Sequence, residues 1–389
     1  MKCNITQTTL GELSVGRRGY YGLGAPAVPY SPSLYTYLRI TDINDDGTLN
    51  MSDLKSVSAD NASDYLLKIN DIVFARTGAS TGRNYFYDGT DGDFVFAGFL
   101  IKFSLDPSKV NPRYVKYYCQ SKEYRDWIAA FNTGSTRGNI NTKTLASMPI
   151  RLPDMETQHR IVNILDALEN KRKNNKQIND NLQQQAFALF EQLLINAGDV
   201  ECSVADIAHL NPKRALAKNQ EAKCIEMSQL STSGAFPSGW EKRLFTGGMR
   251  FSNGDTLLAR ITPCLENGKA AFIDFLDTLE VAFGSTEYIV LASKGEVPPE
   301  FLYCLARYPA FSDYAVKNMN GSSGRQRVSA ETIGQFKLPR PSTNELKRFG
   351  NAVSSLFLKM RFNSLENICL SSLRDSLLPK LISGELDVS

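Results

Sequence analysis

The chain carries its own sequence twice. NDIVFAR, with Asp71 and Arg76, returns as NGDTLLAR, with Asp255 and Arg260, 184 residues further on. Arg137, Leu145, Met148 and Pro153 return as Arg325, Ile333, Phe336 and Pro341, and LFEQLL from Leu189 returns as LLPKLI from Leu377, each at an offset of 188 residues. A repeat of this length constrains the architecture before any single element is assigned. Two copies are too few to stack as a solenoid, so the expected product is a pseudo-dimer in one chain with an approximate two-fold axis. Such an object suits a partner that itself offers two similar sites.

With 389 residues, 42% of them hydrophobic and 22% charged, the chain can bury two sizeable cores. A net charge of +3 neither demands nor opposes a nucleic-acid partner. There is no apolar run of 18 residues and no signal-peptide pattern, so a cytoplasmic location is expected, with no membrane partner. The seven cysteines are scattered without a C-x-x-C, which argues against a disulfide framework or zinc ribbon. Only His159 and His209 are present, so histidine-based metal sites and general-base catalysis are not expected.

Along the chain, 34–43, 70–76 and 94–103 are β-branched and aromatic, with turn signals at Asp45-Asp46-Gly47 and Asp88-Gly89. Residues 111–131 become helical and aromatic. From Thr157 to Ile195 there is neither Gly nor Pro, and Leu165, Leu168, Leu182, Ala186, Leu189 and Leu193 fall on the three- and four-residue steps of a coiled-coil seam. Arg172, Asn175 and Asn179 make the middle of that seam polar. The second copy repeats the order: strands over 253–290, an aromatic helix over 300–316, a capping box at Ser342-x-x-Glu345, then a long helix with Phe349, Val353, Leu356, Met360, Leu370, Leu373, Leu377 and Leu381. Asn363 and Asn367 match Asn175 and Asn179.

The expected fold is α+β, with two mixed α/β globules at 1–152 and 199–340 and two long helices at 153–198 and 341–389. A helix of roughly 40 residues spans about 60 Å, longer than such a globule is wide. Two readings are open: each helix packs as a core helix on its own globule, or, as the length favours, the two pair antiparallel as a spacer whose polar middle sets register.

Candidate nucleic-acid contacts follow from charge and loop position. GRRGYYGLGAP (16–26) has the glycine spacing of neither a dinucleotide fingerprint nor a phosphate loop. Arg17, Arg18, Tyr20 and Tyr21 instead suit a basic and aromatic loop against a nucleic acid. Loops with Thr136, Arg137 and Asn139, and with Arg325, Gln326 and Arg327, occupy matching places in the two copies. Guanidinium and amide groups are the types that read base edges by paired hydrogen bonds. Arg76, Arg83 and Arg260 complete the set. Asp154, Glu169 and Lys171 imitate a metal-nuclease pattern, but the last two fall on different faces of a helix, so that reading is rejected. No amino-methylation motif is present, since Pro298-Pro299 is flanked by Val297 and Glu300.

The order globule, helix, globule, helix resembles the DNA-specificity subunit of Type I restriction–modification enzymes. So do the start of the first long helix, with Pro153, Gln158, Ile161 and Leu165, the ending LLPKLISGEL (377–386), and RRGYYGLGAPAVPY with YLRITDIN near the N-terminus. The resemblance implies target-recognition domains that each read one half of a split double-stranded DNA target. It implies an antiparallel coiled coil that sets the gap and docks two methyltransferase subunits, with a motor–nuclease subunit joining for restriction. Gln158, Ile161, Leu165, Leu168, Leu182, Leu189, Leu193, Val353, Leu356, Leu370, Leu377 and Leu381 are the residues expected in the coiled coil and partner docking. Catalysis is not expected of the chain, nor a cofactor or metal of its own; S-adenosylmethionine belongs to the partner methyltransferase, which methylates adenine at N6. One departure is Leu346, which stands where the first copy has Gln158, and it bears on equal docking of the two partners. The competing readings are a catalytic nuclease or methyltransferase of a related fused system, and a structural coiled-coil adaptor that does not bind DNA.

Overall fold

A computed structural model describes residues 5–131, 139–322 and 324–388. The chain divides into two units, Met1–Glu169 with Ser372–Ser389, and Asn170–Ser371. The division falls inside both long helices, so each unit holds a segment of each.

In the first unit the repeated strand Asp71–Ala75 lies between Leu100–Ser104 and Asn84–Tyr87, all antiparallel, with Tyr20–Tyr21 on the outer edge of Leu100–Ser104. A second sheet runs Ala27–Pro29, Lys55–Val57, Tyr35–Leu38, Phe94–Phe96, the last pair parallel. Thr6–Thr9 closes the unit against Pro149–Leu152. The second unit repeats the central sheet: Thr256–Ala259 lies between Tyr288–Ser293 and Ala270–Phe272, with Ala208–Leu210 on the outer edge. The register is kept, since Ile72 faces Phe103 and its counterpart Thr256 faces Leu291.

The repeated aspartates explain part of the repeated motif. Asp71 is buried, accepts the Lys68 backbone N–H at 2.8 Å and pairs with Lys102 at 3.0 Å. Asp255 is buried, accepts the Ser252 N–H at 2.8 Å and takes two nitrogens of Arg214. Each therefore closes the turn before its strand and needs a cation to be tolerated inside. At Asp255 burial pushes the carboxyl above its ordinary value, against the pull of Arg214.

The expected single aromatic helix is two in each copy: Pro112–Tyr118 and Lys122–Ala129, then Pro299–Arg307 and Pro309–Lys317. Ser121 caps the second helix of the first pair, accepting from the Tyr124 N–H, and Pro309 lacks the N–H that a continuous helix would need.

The long helices run Met155–Asn196 and Thr343–Ser383. Asp154 accepts the Thr157 N–H at 2.9 Å, and Ser342 and Glu345 form the reciprocal capping box. In the second unit the two helices are antiparallel, and their polar layer obeys the repeat. Asn175 Nδ2 donates to Asn367 Oδ1 at 3.0 Å, and Asn363 Nδ2 donates to Asn179 Oδ1 at 2.8 Å. Asn175 and Asn363 are 1% and 2% exposed, so these amides have lost water and need each other.

The helices also complete both cores. In the first unit Ile161, Val162 and Leu165 join Leu378, Leu381 and Ile382 in the cluster built on Ile72, Phe74, Phe103 and Tyr114. In the second, Ala186, Phe190, Leu193 and Leu194 join Leu346, Phe349, Val353, Phe357 and Met360 around Phe272, Phe301 and Tyr303. Leu182 and Leu356 pack on that second core, Leu377 on the first, and Leu168 and Leu370 are half-buried. Two expectations for this set need correction. Leu189 is exposed, because Ala186, Phe190 and Leu193 take the inward phase of the helix. Gln158 is not free to dock a partner: it is buried, and its amide bridges Asn111 and Pro153.

Candidate nucleic-acid interface

In the first unit an arginine at the end of the repeated strand meets aromatic side chains. Arg76 follows Asp71–Ala75; its backbone donates to the Phe99 carbonyl at 3.1 Å and accepts from the Ile140 N–H at 2.9 Å. Its guanidinium lies 4.9 Å from the Tyr21 ring centroid and 6.0 Å from that of Phe99. Its buried Nε has no hydrogen-bond partner among the described residues. Asn139, exposed, bridges to Thr77 beside it. Tyr20 and Tyr21 are 40% and 44% exposed on the edge strand, and Arg18 donates to Tyr20 Oη at 3.0 Å while lying over that ring. Arg17 is exposed in the turn before them, with φ at 54°. Arg17, Arg18, Tyr20, Tyr21, Arg76 and Asn139 thus lie about one sheet edge and strand end.

Phe99 belongs to this surface and was not singled out from the sequence. It is 56% exposed. Its position in the repeat was the available signal, since it matches Glu287 at the 188-residue offset.

In the second unit the same backbone frame carries different side chains. Arg260 ends Thr256–Ala259; its N–H donates to the Glu287 carbonyl at 3.0 Å, and its carbonyl accepts from Val328 at 3.0 Å. Its buried Nε, like that of Arg76, has no partner among the described residues. Ile261 bridges to Arg327, as Thr77 does to Asn139. Arg327 grips Glu287 with two nitrogens, Nε to Oε2 at 2.9 Å and Nη2 to Oε1 at 2.7 Å. Hydrogen bonding to Arg327 holds the Glu287 carboxyl below the usual range, with Arg327 and Arg260 charge adding to the effect against partial burial. Arg325 is exposed and Gln326 half-buried, its carbonyl accepting from Thr262 at 3.1 Å.

Two arginines assigned to DNA from the sequence are committed inside the chain. Arg83 donates to both Asp45 oxygens at 2.7 and 3.3 Å and to the Ile43 carbonyl at 3.2 Å, bracing the 43–49 turn. Arg327 spends Nη1 on the Arg325 carbonyl at 3.1 Å as well as two nitrogens on Glu287. A fork already filled by a carboxylate is not free for a base or phosphate. Thr136 and Arg137 lie outside the described residues. The rejected acidic pattern has structural duties: Asp154 caps a helix, Glu169 pairs with Lys116, and Lys171 pairs with Glu366.

Two repeated α/β units, each with an arginine at the same strand end, and a pair of antiparallel helices define a protein built on a duplicated frame. The family described as Type I restriction modification DNA specificity domain matches residues 30–184. The specificity subunit of the Type I restriction enzyme HindI from Haemophilus influenzae is 22% identical over 404 aligned positions, covering 82% of this chain and 87% of that protein. That of EcoAI from Escherichia coli is 30% identical over 169 positions, covering 42% of this chain and 27% of that protein. The crystal structure of the S subunit of a Type I restriction–modification system from M. genitalium superposes with a TM-score of 0.59 at 18% identity, covering 100% of this chain and 97% of that one, a likeness of fold. Residues 30–184 thus carry the match to a Type I restriction modification DNA specificity domain, and most of the chain is similar to Type I specificity subunits. The catalytic and adaptor alternatives are not favoured.

Proposed function

We propose that this chain reads a bipartite duplex DNA target, one half-site with each repeated unit, as part of a Type I restriction–modification complex. The observation that carries this reading is the equivalence of Arg76 and Arg260. Both end the equivalent strand, both hold a buried Nε without a partner among the described residues, and each stands on a frame that carries aromatic, amide or charged side chains. Guanidinium and amide groups placed this way suit phosphate contacts and base-edge reading. Arg17, Arg18, Tyr20, Tyr21, Arg76 and Asn139 form the surface for one half-site; Arg260, Arg325 and Gln326 form that for the other. The paired helices dock two methyltransferase subunits and fix the gap, and a motor–nuclease subunit joins for restriction. S-adenosylmethionine binds the methyltransferase partner. Among the described residues no helix is long and apolar enough to cross a membrane. A cytoplasmic complex, where the DNA is, belongs to this reading.

The test maps methylated adenines made by the methyltransferase subunits with and without this chain. Methylation at one bipartite sequence only in its presence is expected. Exchanging residues 1–152 for those of another family member should alter one half-site alone. Sequence-specific methylation without the chain, or both half-sites changing together, would overturn the reading.

A further inference from the structure

We propose that Glu287 is a positioning residue for target reading by the second unit: it holds Arg327, and Arg327 holds the backbone that presents Arg325. The inference rests on the proposed DNA-reading function and deepens it. The chain of contacts is continuous. Glu287 takes two nitrogens of Arg327, and the third donates to the Arg325 carbonyl at 3.1 Å. The Arg327 backbone exchanges hydrogen bonds with Asn320 in both directions at 2.9 Å, and the Arg325 N–H donates to the Ser322 carbonyl at 3.0 Å. Arg325 is left with its side chain exposed between these ties. A loop arginine fixed through its own backbone loses less freedom on meeting a ligand, which is how a supporting contact sharpens recognition.

The repeat supplies an independent observation. The first unit has Phe99 in place of Glu287 and Asn139 in place of Arg327, on the same backbone frame. Both partners of the ion pair are replaced together, and Arg76 rests on Tyr21 and Phe99 instead. The same backbone frame therefore carries different chemistry in the two units, an aromatic stack on Arg76 in one and the Glu287–Arg327 ion pair in the other. A bare carboxylate on a DNA-facing surface would repel phosphates, and only the bidentate fork makes Glu287 compatible with that place.

The experiment selects bound duplexes from a pool with randomised positions, using the full chain as wild type and as Glu287→Gln, Arg327→Lys, Arg325→Ala and Arg76→Ala. Arg76→Ala marks the half-site of the first unit. Glu287→Gln, Arg327→Lys and Arg325→Ala should relax the same base position or positions in the other half-site and weaken the wild-type duplex about tenfold. Binding of Glu287→Gln and Arg327→Lys to an unrelated duplex should hold within about threefold, because neither change removes a cation from the surface. Arg327→Lys is the decisive variant: it keeps the charge and the fold but cannot span Glu287 and the Arg325 carbonyl at once. Wild-type selectivity in Arg327→Lys and Glu287→Gln would overturn the proposal while leaving the DNA-reading function intact. If the wild type enriched no sequence at all, the function and this inference would fall together.

Discussion

The backbone N–H of Asn111 donates to Gln158 Oε1 at 2.9 Å, and the other end of that amide donates to the Pro153 carbonyl at 2.8 Å. Asn111 caps the helix Pro112–Tyr118. At the matching cap of Pro299–Arg307 stands Pro298, which has no N–H to satisfy, and Leu346 replaces the glutamine, 8% exposed in the core of the second unit. The difference between the two copies thus has an internal reason: where the cap is proline there is no N–H for a glutamine to accept. Gln158→Leu should leave the Asn111 N–H buried without a partner and cost about 1–3 kcal/mol. The reverse change, Leu346→Gln, should cost a similar amount by burying an amide where the cap offers no donor. Urea unfolding of both variants checks this, and a neutral Gln158→Leu would refute it.

The asparagine layer should show the asymmetry between breaking and replacing a buried polar network. Asn363→Ala removes the donor to Asn179 and is expected to destabilise by about 1–3 kcal/mol. Changing Asn175, Asn179, Asn363 and Asn367 together to Leu should recover that loss, because apolar residues leave no amide unpaired. Thermal melts of the single and quadruple variants decide it. A quadruple variant less stable than Asn363→Ala would mean that the layer stabilises rather than specifies register.

Spacing is the functional counterpart of that register. Inserting four residues near Asn175 in the first helix alone adds about 6 Å and turns the helix about 40° beyond one full turn, pulling the cross-paired amides out of line. Matched seven-residue insertions in both helices keep the apolar phase and lengthen each by about 10 Å, or about three base pairs at a rise of ~3.4 Å. Methylation maps should then show a wider gap between unchanged half-sites. An unchanged gap in an active, folded variant would exclude the helices as the ruler.

Arg76 and Arg83 separate reading from bracing. Arg76→Ala should weaken binding to the selected duplex, by about 1–3 kcal/mol if it reads a base, or flatten the salt dependence by about one unit of slope if it meets a phosphate. Arg83→Ala should leave binding and its salt slope alone and loosen the 43–49 turn, since its nitrogens are held by Asp45 and Ile43. Binding titrations at several salt concentrations distinguish the two. Equal losses from both would make Arg83 a contact after all.

Much of the architecture was local enough to be legible in the chain itself. The repeat announced two units, the absence of Gly and Pro from Thr157 to Ile195 announced a long helix, and Ser342 with Glu345 announced where the second one starts. These are properties of neighbours in sequence, set by backbone geometry and hydrophobic period. Partner choice was not legible in this way. Whether an arginine faces solvent or a carboxylate depends on residues far along the chain, and Arg83 and Arg327 were assigned to DNA because Asp45 and Glu287 lie 38 and 40 residues away. The same holds for Leu189 against Phe190, where a single residue of helical phase settles which side chain the core takes. Composition and spacing supply the groups available for recognition, and only the packed structure, by satisfying some and leaving others open, decides which of them can meet a ligand.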